Sequence, residues 1–351
     1  MEIIEEDIRS IVKQIGAKAL LLDGKTIVIS GGAGFLGSYF ILTFDYLNKF
    51  VLKNPCKVIS IDNYITGKKR KALNLIDKNN IKFIRGDVTK KIFLSGKIDY
   101  IIHAAGLASP VYYQKFPVET IESAIFGVKN LLEIARKKNI KGFLYFSSSE
   151  IYGNPDSKNI PTKESYTGNV SSIGPRACYD ESKRLGETLC IVYFNKYNIP
   201  TKIVRPFNVY GPGMFPDDYR VIPTFIYRAL KGLSLTVHDK GQQTRTFCYI
   251  SDAITGFMKI LLSGKNGEVY NVGNENNEIT IYDLAKLISK IFDNKVKLKR
   301  IRYPKNYPQN EPKRRCPNLS KIKKQLNYSA KVQLEEGIKR TEEWYKQEKL
   351  Y

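Results

Sequence analysis

The stretch TIVISGGAGFLGSYF at residues 26–40 constrains this sequence more than any other. Its β-branched start predicts a buried strand, and Gly32, Gly34 and Gly37 predict a tight turn that leads into a helix. Gly31 adds an overlapping pattern of three glycines at three-residue spacing. Glycines let the backbone approach a ligand closely, and the first turn of the next helix offers unpaired N–H groups to anions. The stretch therefore predicts a phosphate-binding turn.

Strands and helices alternate along residues 25–208. Near-continuous apolar runs predict strands at 26–30, 57–62, 82–86, 100–106, 142–149 and 202–208. The stretches between them predict helices at 35–52, 119–138 and 176–198. Strands that are apolar on both faces and separated by helices are typical of a parallel sheet covered by helices on both sides. The predicted fold class is therefore α/β, a Rossmann-like doubly wound parallel sheet with a smaller C-terminal α/β lobe.

Three regions are predicted along the chain. Residues 1–23 form an amphipathic leader helix, because isoleucines recur at helical spacing between charged residues. We expect this helix to pack on the body of the protein or on a second subunit. Residues 24–207 form the dinucleotide-binding Rossmann domain. Residues 208–351, where the elements shorten, form mainly a substrate-binding lobe that is partly interleaved with the first domain.

The formal net charge of +23 would suit a nucleic-acid partner or an anionic surface. However, the lysines are scattered, and only short basic clusters occur, at 68–71, 136–138 and 313–315. No stripe of alternating basic and aromatic residues, as used to bind single strands, is apparent. We interpret the charge as a lysine-rich surface and expect no nucleic-acid partner.

The five cysteines have no CxxC spacing, and the two histidines are isolated. This usage predicts a reducing, cytoplasmic compartment and no metal site. No apolar run approaches the ~18 residues that a membrane span needs, and the acidic start MEIIEEDIRS does not resemble a signal peptide. We therefore expect no membrane span.

Two acidic residues follow predicted strands and suit the nucleoside part of a dinucleotide. Asp62 ends the second strand and is placed to accept a hydrogen bond from a ribose 2′-hydroxyl. A carboxylate there favours NAD over NADP, because a 2′-phosphate would meet a negative charge, although the basic run at 68–71 keeps NADP as an alternative. Asp87 ends the third strand and either accepts from the adenine amino group or serves as a turn or helix N-cap residue.

Taken in order, the motifs GGAGFLG, DVT, HAAG, SSSEIYG and YDESK resemble the extended short-chain dehydrogenase/reductase family. Its nucleotide-sugar branch includes epimerases, 4,6-dehydratases and decarboxylases. The resemblance covers residues 25–345 and implies NAD as cofactor, a nucleotide-sugar substrate and a homodimer formed through the helices at 119–138 and 176–198. The cofactor site that these motifs imply comprises Gly31, Gly34, Phe35, Leu36, Gly37, Asp62, Asn63, Asp87, Val88, Ala104, Ala105, Tyr179 and Lys183.

The resemblance implies that Tyr179 and Lys183 are the catalytic pair. They stand four residues apart, so their side chains leave one face of the predicted helix. A nearby ammonium and the positive nicotinamide ring are expected to lower the pKa of the Tyr179 phenol. The phenolate could then take a proton from a sugar hydroxyl while hydride leaves for NAD. Ser148 is expected to bond the same hydroxyl, and Lys183 to hold the nicotinamide ribose.

The triplet Ser148-Ser149-Glu150 separates the members of this branch. The 4,6-dehydratases have Thr-Asp-Glu there, so their acidic Asp is a serine in this chain. The triplet, the stretch GPRACYDESKR and the residues at 315–317 resemble the UDP-glucuronate decarboxylases. This implies oxidation of UDP-glucuronate at C4, loss of CO2, protonation at C5 and reduction to UDP-xylose. Release of the 4-keto pentose, 4,6-dehydration and 4-epimerisation remain alternatives.

Five residues are candidates for substrate binding. Glu150 would press against the substrate carboxylate, so that losing CO2 relieves like-charge strain. Arg315 would hold that carboxylate or place the water that protonates C5. Arg220 and Arg245 are candidates for the diphosphate, and Asn208 for the phosphates or the uridine side. The alternatives are a capping role for Glu150 and a surface position for Arg315.

Overall fold

The computed structural model describes residues 2–68, 70–276, 278–303 and 312–351. The helices in these ranges are α1 (Glu2–Ile15), α2 (Phe35–Phe50), α3 (Pro110–Lys115), α4 (Pro117–Glu122), α5 (Val128–Lys138), α6 (Ala177–Tyr197), α7 (Val221–Leu230), α8 (Ile250–Ser263), α9 (Ile281–Ile291), α10 (Ser320–Leu326) and α11 (Leu334–Glu348). The strands are β1 (Thr26–Ser30), β2 (Lys57–Asp62), β3 (Ile81–Arg85), β4 (Tyr100–His103), β5 (Gly142–Phe146), β6 (Thr201–Pro206), β7 (Val209–Tyr210), β8 (Leu235–His238), β9 (Thr244–Arg245), β10 (Cys248–Tyr249), β11 (Glu268–Val272), β12 (Ile279–Thr280), β13 (Leu298–Ile301) and β14 (Arg314–Arg315).

Within the described ranges, seven strands form one parallel sheet in the order β11-β6-β5-β4-β1-β2-β3. Strand β1 lies inside the sheet, with Ile27 opposite Val58 on one side and Tyr100 on the other. All six predicted strands take part, and the predicted doubly wound α/β fold is confirmed. The edge strand β11, which pairs with β6, is not among the predicted strands.

Alternate residues of the strands face opposite sides of the sheet, as the strand period of two requires. Ile27 and Ile29 join the apolar cluster that includes side chains of α1, α2 and α8. Val28 joins a second cluster with side chains of α5 and α6. Burial on both faces explains why the strands appear in the sequence as continuous apolar runs.

Three predicted strands end two or three residues earlier than the sequence indicated. Strand β4 ends at His103, β5 at Phe146 and β6 at Pro206. The small and polar residues that follow each strand leave the sheet as loops. Ligands of parallel α/β sheets bind outside the carboxyl ends of the strands, so these loops are the expected position of the site.

The segment predicted as one helix at 119–138 changes its hydrogen-bond pattern partway along its length. Helix α4 ends at Glu122, residues Ser123–Gly127 form a π turn, and α5 begins at Val128. A Cβ atom on Gly127 would lie 3.0 Å from Val88 Cγ2. The π turn therefore lies where the helix backbone packs against Val88 in the loop after β3.

The leader segment is part of the core of the described chain. Helix α1 packs against α2 and α8, and a 3₁₀ turn at Gly16–Leu22 leads from it to β1. Ile11 is fully buried. The buried carboxylate of Asp7 accepts hydrogen bonds from Tyr39 at 3.1 Å, Tyr249 at 3.0 Å and Arg340 at 3.0 Å. The predicted amphipathic helix thus also carries a buried carboxylate that is hydrogen-bonded to distant parts of the chain.

No helix in the described ranges combines the length and apolar character that crossing a membrane requires.

Candidate active site

Two neighbouring cavities open at the carboxyl edge of the sheet. The larger has a volume of about 780 Å³ and the smaller about 90 Å³. Both are lined by Gly31, Gly34, Ala104, Gly106 and Leu107. An elongated ligand that crosses the glycine turn can therefore occupy both.

The glycine turn is shaped by close backbone contacts. Gly31 has a φ of +80°, and a Cβ there would lie 2.7 Å from the Ala105 Cα. A Cβ on Gly37 would lie 2.1 Å from the Gly31 carbonyl oxygen. Gly34 is the N-cap of α2, so the first turn of that helix, with Phe35, begins at the wall of the larger cavity. Side chains at Gly31 and Gly37 would collide with backbone, so the tight turn that leads into α2 requires glycine at both positions.

The smaller cavity is lined by the residues predicted for the adenosine end. The Asp62 carboxylate accepts from the Ala33 N–H at 2.9 Å and the Tyr64 N–H at 2.8 Å, and burial raises the pKa of Asp62. Asp87 accepts from the Thr89 N–H at 2.9 Å. Both carboxylates therefore stabilise turns as well as line the cavity. The other predicted residues that line this cavity are Asn63, Val88 and Ala105.

Two cations of the basic run at 68–71 contact the loop at 211–220. Lys68 forms an ion pair with Asp217. Arg70 donates through Nε to the Ala33 carbonyl at 3.2 Å and through Nη1 to the Gly213 carbonyl. Burial lowers the pKa of Arg70 to about 10. These side chains join the glycine turn to a loop of the C-terminal part.

Tyr179, Ser148 and Lys183 meet in the larger cavity. The Ser148 side chain lies near enough to the Tyr179 phenol to lower its pKa. The Lys183 ammonium donates to the Phe146 carbonyl at 2.7 Å and lies 5.8 Å from the centre of the Tyr179 ring. The helical spacing of Tyr179 and Lys183 therefore places both side chains beside the residue predicted to bond the substrate hydroxyl.

Among the chain's own groups, burial dominates the pKa of the Tyr179 phenol. Burial raises that pKa, while the Ser148 side chain and the charge of Arg220 lower it only in part. Burial also lowers the pKa of Lys183 to about 8. The predicted lowering of the Tyr179 pKa includes the charge of the nicotinamide ring, so it stays a prediction.

Tyr113 also contacts the catalytic pair. Its ring stacks on the Tyr179 ring, with centroids 5.2 Å apart and planes at 17°. It comes from α3, and no spacing or motif in the sequence indicated this contact. A stacked neighbour restricts how far the Tyr179 ring can turn.

Glu150 is paired with two arginines. Both Nη atoms of Arg315 lie 2.6 Å from the two carboxylate oxygens of Glu150, and Arg176 bonds to the same carboxylate. Arg176 also lies 3.5 Å from Asp180, whose pKa burial raises to about 6. Arg315 is buried, so its predicted alternative as a surface arginine is wrong. Sequence analysis missed Arg176, although the residue lies in the quoted stretch GPRACYDESKR.

The remaining substrate candidates line the same cavity. Asn208 donates to the Thr246 carbonyl at 2.8 Å. Arg220 pairs with Asp218 through bonds that include Nη2 to Oδ2 at 2.7 Å. Arg245 is buried and donates to the carbonyl of the preceding residue at 2.8 Å. All three side chains already have protein partners, which hold them in defined orientations.

Every residue predicted from the sequence for cofactor or substrate lines one of the two cavities. Those at the larger cavity alone are Phe35, Leu36, Gly37, Ser148, Glu150, Tyr179, Lys183, Asn208, Arg220, Arg245 and Arg315. Their individual roles stay predictions. In the described part of the chain, no group of three or more His, Cys, Asp or Glu side chains is placed to hold a metal ion.

Residues 27–273 match the family described as the NAD dependent epimerase/dehydratase family. UDP-glucuronic acid decarboxylase 6 of Arabidopsis thaliana is 39% identical over 317 residues, which span 90% of this chain and 88% of the plant protein. The structure is similar to that of UDP-glucose 4-epimerase from Thermotoga maritima with UDP-glucose, with a TM-score of 0.80 at 27% identity, covering 92% of this chain and 99% of that chain. It is also similar to an enzyme of Bordetella bronchiseptica in complex with NAD+ and UDP, with a TM-score of 0.73 at 27% identity over 94% of this chain and 96% of that chain.

Proposed function

Because the chain belongs to the NAD-dependent epimerase/dehydratase family, we propose that it decarboxylates a nucleotide-linked uronic acid, with UDP-glucuronate as substrate and UDP-xylose as product. The observation that carries this proposal is the pairing of Arg315 and Arg176 with Glu150 in the cavity that also holds Tyr179. Both guanidinium groups line this cavity, so their N–H groups are within reach of the carboxylate of a uronic acid bound there, while Glu150 and Asp180 balance their charge.

The cavities fit NAD. The glycine turn leads into the N-terminus of α2 at the cavity wall, where unpaired N–H groups suit a diphosphate. Asp62 lines the smaller cavity, at the adenosine end. When bound, NAD supplies the acceptor and donor of hydride for the sugar. Asp62 disfavours a 2′-phosphate, and the cations that would attract one, Lys68 and Arg70, are bonded to the loop at 211–220. We therefore assign NAD rather than NADP.

Tyr179 acts as the base for the sugar hydroxyl at C4. Its phenol and the Ser148 hydroxyl line the same cavity, and we assign both to bond that hydroxyl and its ketone form. The Lys183 ammonium provides a positive charge near the Tyr179 ring and orients the nicotinamide ribose. The same phenol returns the proton when the C4 ketone is reduced at the end of the cycle.

Loss of CO2 from the 4-keto acid leaves an enolate whose oxygen faces Ser148 and Tyr179. Donors placed at that oxygen stabilise its charge. Arg315 and Arg176 hold the departing carboxylate, and Arg315 places the water that protonates C5. These contacts disfavour the prediction that Glu150 repels the substrate carboxylate, because two guanidinium groups offset the negative charge of Glu150. We assign Glu150 the task of orienting both arginines.

Three alternative reactions occur in the same family. A 4,6-dehydratase is disfavoured, because the buried Ser149 stands where an acid would be needed. One structural neighbour is a 4-epimerase, but 4-epimerisation would leave Arg176 and Arg315 without a role in the reaction. A decarboxylase that releases the 4-keto pentose uses the same residues and differs only in the final reduction.

We further propose a cytoplasmic homodimer. The described cysteines are all free thiols, which suits a reducing compartment. Exposed apolar side chains occur on the helical segment 117–138 and on α6, among them Val118, Phe126, Leu185 and Val192. Pairing these faces between two copies would bury them. Light scattering that gives the mass of one chain at working concentration would contradict the dimer.

The test is to incubate the purified protein with UDP-glucuronate and follow the sugar by proton NMR together with absorbance of NADH. A UDP-pentose that appears with loss of the carboxylated carbon and no net NADH supports the complete cycle. A 4-keto pentose with a steady rise in NADH supports the releasing enzyme. An unchanged carboxylate, with turnover only of dTDP-glucose or of UDP-N-acetyl sugars, would contradict decarboxylation.

A further inference from the structure

Behind the wall of the larger cavity, four buried polar side chains form one connected set, here named the Arg205 cluster: Tyr152, Glu187, Arg205 and Asn271. Arg205 pairs with Glu187 through bonds of 2.8 and 2.6 Å, and donates to the Tyr152 hydroxyl at 2.8 Å. That hydroxyl donates to Asn271 Oδ1 at 2.7 Å. None of these four residues has a role in the proposed reaction.

The cluster is tied to Glu150 through Tyr152. Both residues belong to the 3₁₀ turn Ser149–Tyr152, which Ser148 caps by accepting from the Glu150 N–H. Arg205 also donates to the Glu164 carbonyl at 3.0 Å, so the loop after this turn meets the same guanidinium. The position of the Glu150 backbone therefore depends on where the Tyr152 ring and hydroxyl are held.

The cluster is tied to Arg315 through Asn271. The Asn271 amide donates to the carbonyls of Thr162 at 2.9 Å and Asn318 at 3.2 Å. Thr162 in turn exchanges backbone hydrogen bonds of 2.9 Å with Cys316 and Asn318. The segment at 316–318, which directly follows Arg315, is thus anchored to the same side chain that receives the Tyr152 hydroxyl.

The cluster also contacts the catalytic helix. Glu187 lies one turn after Lys183 on α6. Its negative charge raises the pKa of Lys183 against the larger lowering by burial. Arg205 pairs with Glu187 from β6, so the strand and the helix are joined at this point.

We propose that the Arg205 cluster positions the Glu150/Arg315 pair against the Tyr179/Lys183 pair, and that loss of CO2 depends on it more than oxidation of the sugar does. This inference rests on the proposed function. Tyr179 and Lys183 share one helix of 21 residues, which sets their spacing by itself. Glu150 and Arg315 come from two separate segments, 165 residues apart, and need an external anchor.

The test is Tyr152→Phe, which removes the hydroxyl between Arg205 and Asn271 and leaves the ring and the Arg205/Glu187 ion pair. The matched control is Tyr166→Phe, whose half-buried ring packs on Tyr152 with centroids 6.2 Å apart. Wild type and both variants are given UDP-glucuronate, and CO2 release is compared with transient NADH absorbance. A misplacement of ~1 Å can lower a rate about 100-fold, so a single lost bond is expected to lower kcat for CO2 release about ten-fold.

Under this proposal KM of Tyr152→Phe stays within about two-fold of wild type, because substrate binding is not what the hydroxyl supports. Transient NADH rises above the wild-type level, since oxidised sugar accumulates before its slow decarboxylation. Tyr166→Phe behaves as wild type. Unchanged CO2 release in Tyr152→Phe, or an equal loss of NADH formation and CO2 release, would overturn the inference.

A wild-type protein that releases no CO2 would instead overturn the proposed function, so the two failures are distinguishable. Thermal unfolding of each variant reports whether it folds. If Tyr152→Phe does not, Asn271→Ser breaks the same link from the other side and keeps the Tyr152/Arg205 bond. It is expected to show the same selective loss of CO2 release, and wild-type kinetics in this variant would equally overturn the inference.

Discussion

Arg315 and Glu150 are 165 residues apart in the chain, yet each Nη atom of Arg315 lies 2.6 Å from a carboxylate oxygen of Glu150. Such a two-point contact defines both distance and orientation, which a lysine cannot do. Arg176 bonds to the same carboxylate from α6's N-terminal side. The pair therefore joins the C-terminal segment to the loop after β5 at the wall of the larger cavity.

Arg315→Lys should lower kcat for CO2 release about 100-fold, because the lysine keeps the charge but loses the two-point contact. Affinity for UDP, measured by calorimetry, should change little. Arg314→Lys is the control, since the adjacent Arg314 pairs on the outside with Glu278 at 2.6 Å. Equal effects of the two substitutions would contradict a role of Arg315 in the reaction.

Tyr179→Phe should lower turnover of the nucleotide sugar by about 10²–10⁴-fold, because it removes the group that exchanges the sugar proton. NAD affinity should remain within a few-fold of wild type, as judged by titration calorimetry. Tyr197→Phe removes a hydroxyl from the exposed end of the same helix and should be silent. Substantial turnover by Tyr179→Phe would assign the base to another group.

Activity should fall as pH rises through about 8, because burial lowers the pKa of Lys183 to about 8 and its ammonium is needed beside the phenol. The profile of kcat/KM against pH reports this ionisation in the free enzyme. Lys202→Met is the control, since burial lowers the pKa of Lys202 to about 8 as well, but that side chain lies beside Gly142 and Tyr100 at the other end of the strands. Loss of the alkaline limb in Lys202→Met would contradict the assignment to Lys183.

The same ionisations should affect stability in a defined direction. Because the pKa of both lysines is lower in the folded chain than the ordinary 10.5, the unfolded chain binds more protons between about pH 8 and 10.5. Their contribution to the free energy of unfolding therefore rises with pH across that window. Lys202→Met should remove part of this rise, as followed by urea unfolding at about pH 7.5 and about pH 11, which bracket the window.

Asp62→Asn should weaken NAD binding about ten-fold, because an amide cannot accept from the ribose and from both backbone N–H groups as the carboxylate can. Calorimetric titration with NAD and with NADP measures the effect. Asp77→Asn is the control, since Asp77 also accepts in a turn, from Asn79 at 2.9 Å, but it does not line either cavity. Unchanged NAD affinity in Asp62→Asn would contradict the assignment of the adenosine end.

Ile11→Ala should lower the free energy of unfolding by about 2–5 kcal/mol, because the side chain is fully buried between α1 and the body of the protein. Lys13→Ala, at an exposed position on the same helix, should stay within about 0.5 kcal/mol of wild type. Urea unfolding measures both. A negligible effect of Ile11→Ala would mean that α1 is not a stable part of the fold.

The features that the sequence determined by itself are local ones. A strand, a glycine turn and a helix follow from residues within one stretch, and the spacing of Tyr179 and Lys183 follows from one helical turn. Their periods of 2 and 3.6 residues are visible without knowing any distant contact. The α/β fold could therefore be predicted from these patterns, whereas the set of cavity residues was predicted mainly from the family resemblance.

Only the tertiary structure decided the features that depend on distant partners. The short strand β11 joins the sheet because β6 offers it an edge, and Arg176 meets Glu150 because two loops converge. The direction of the Tyr179 pKa depends on how much water the fold removes around the phenol. Burial and long-range pairing are sums over many residues, so a motif can name the groups in a site while folding determines their charges and partners.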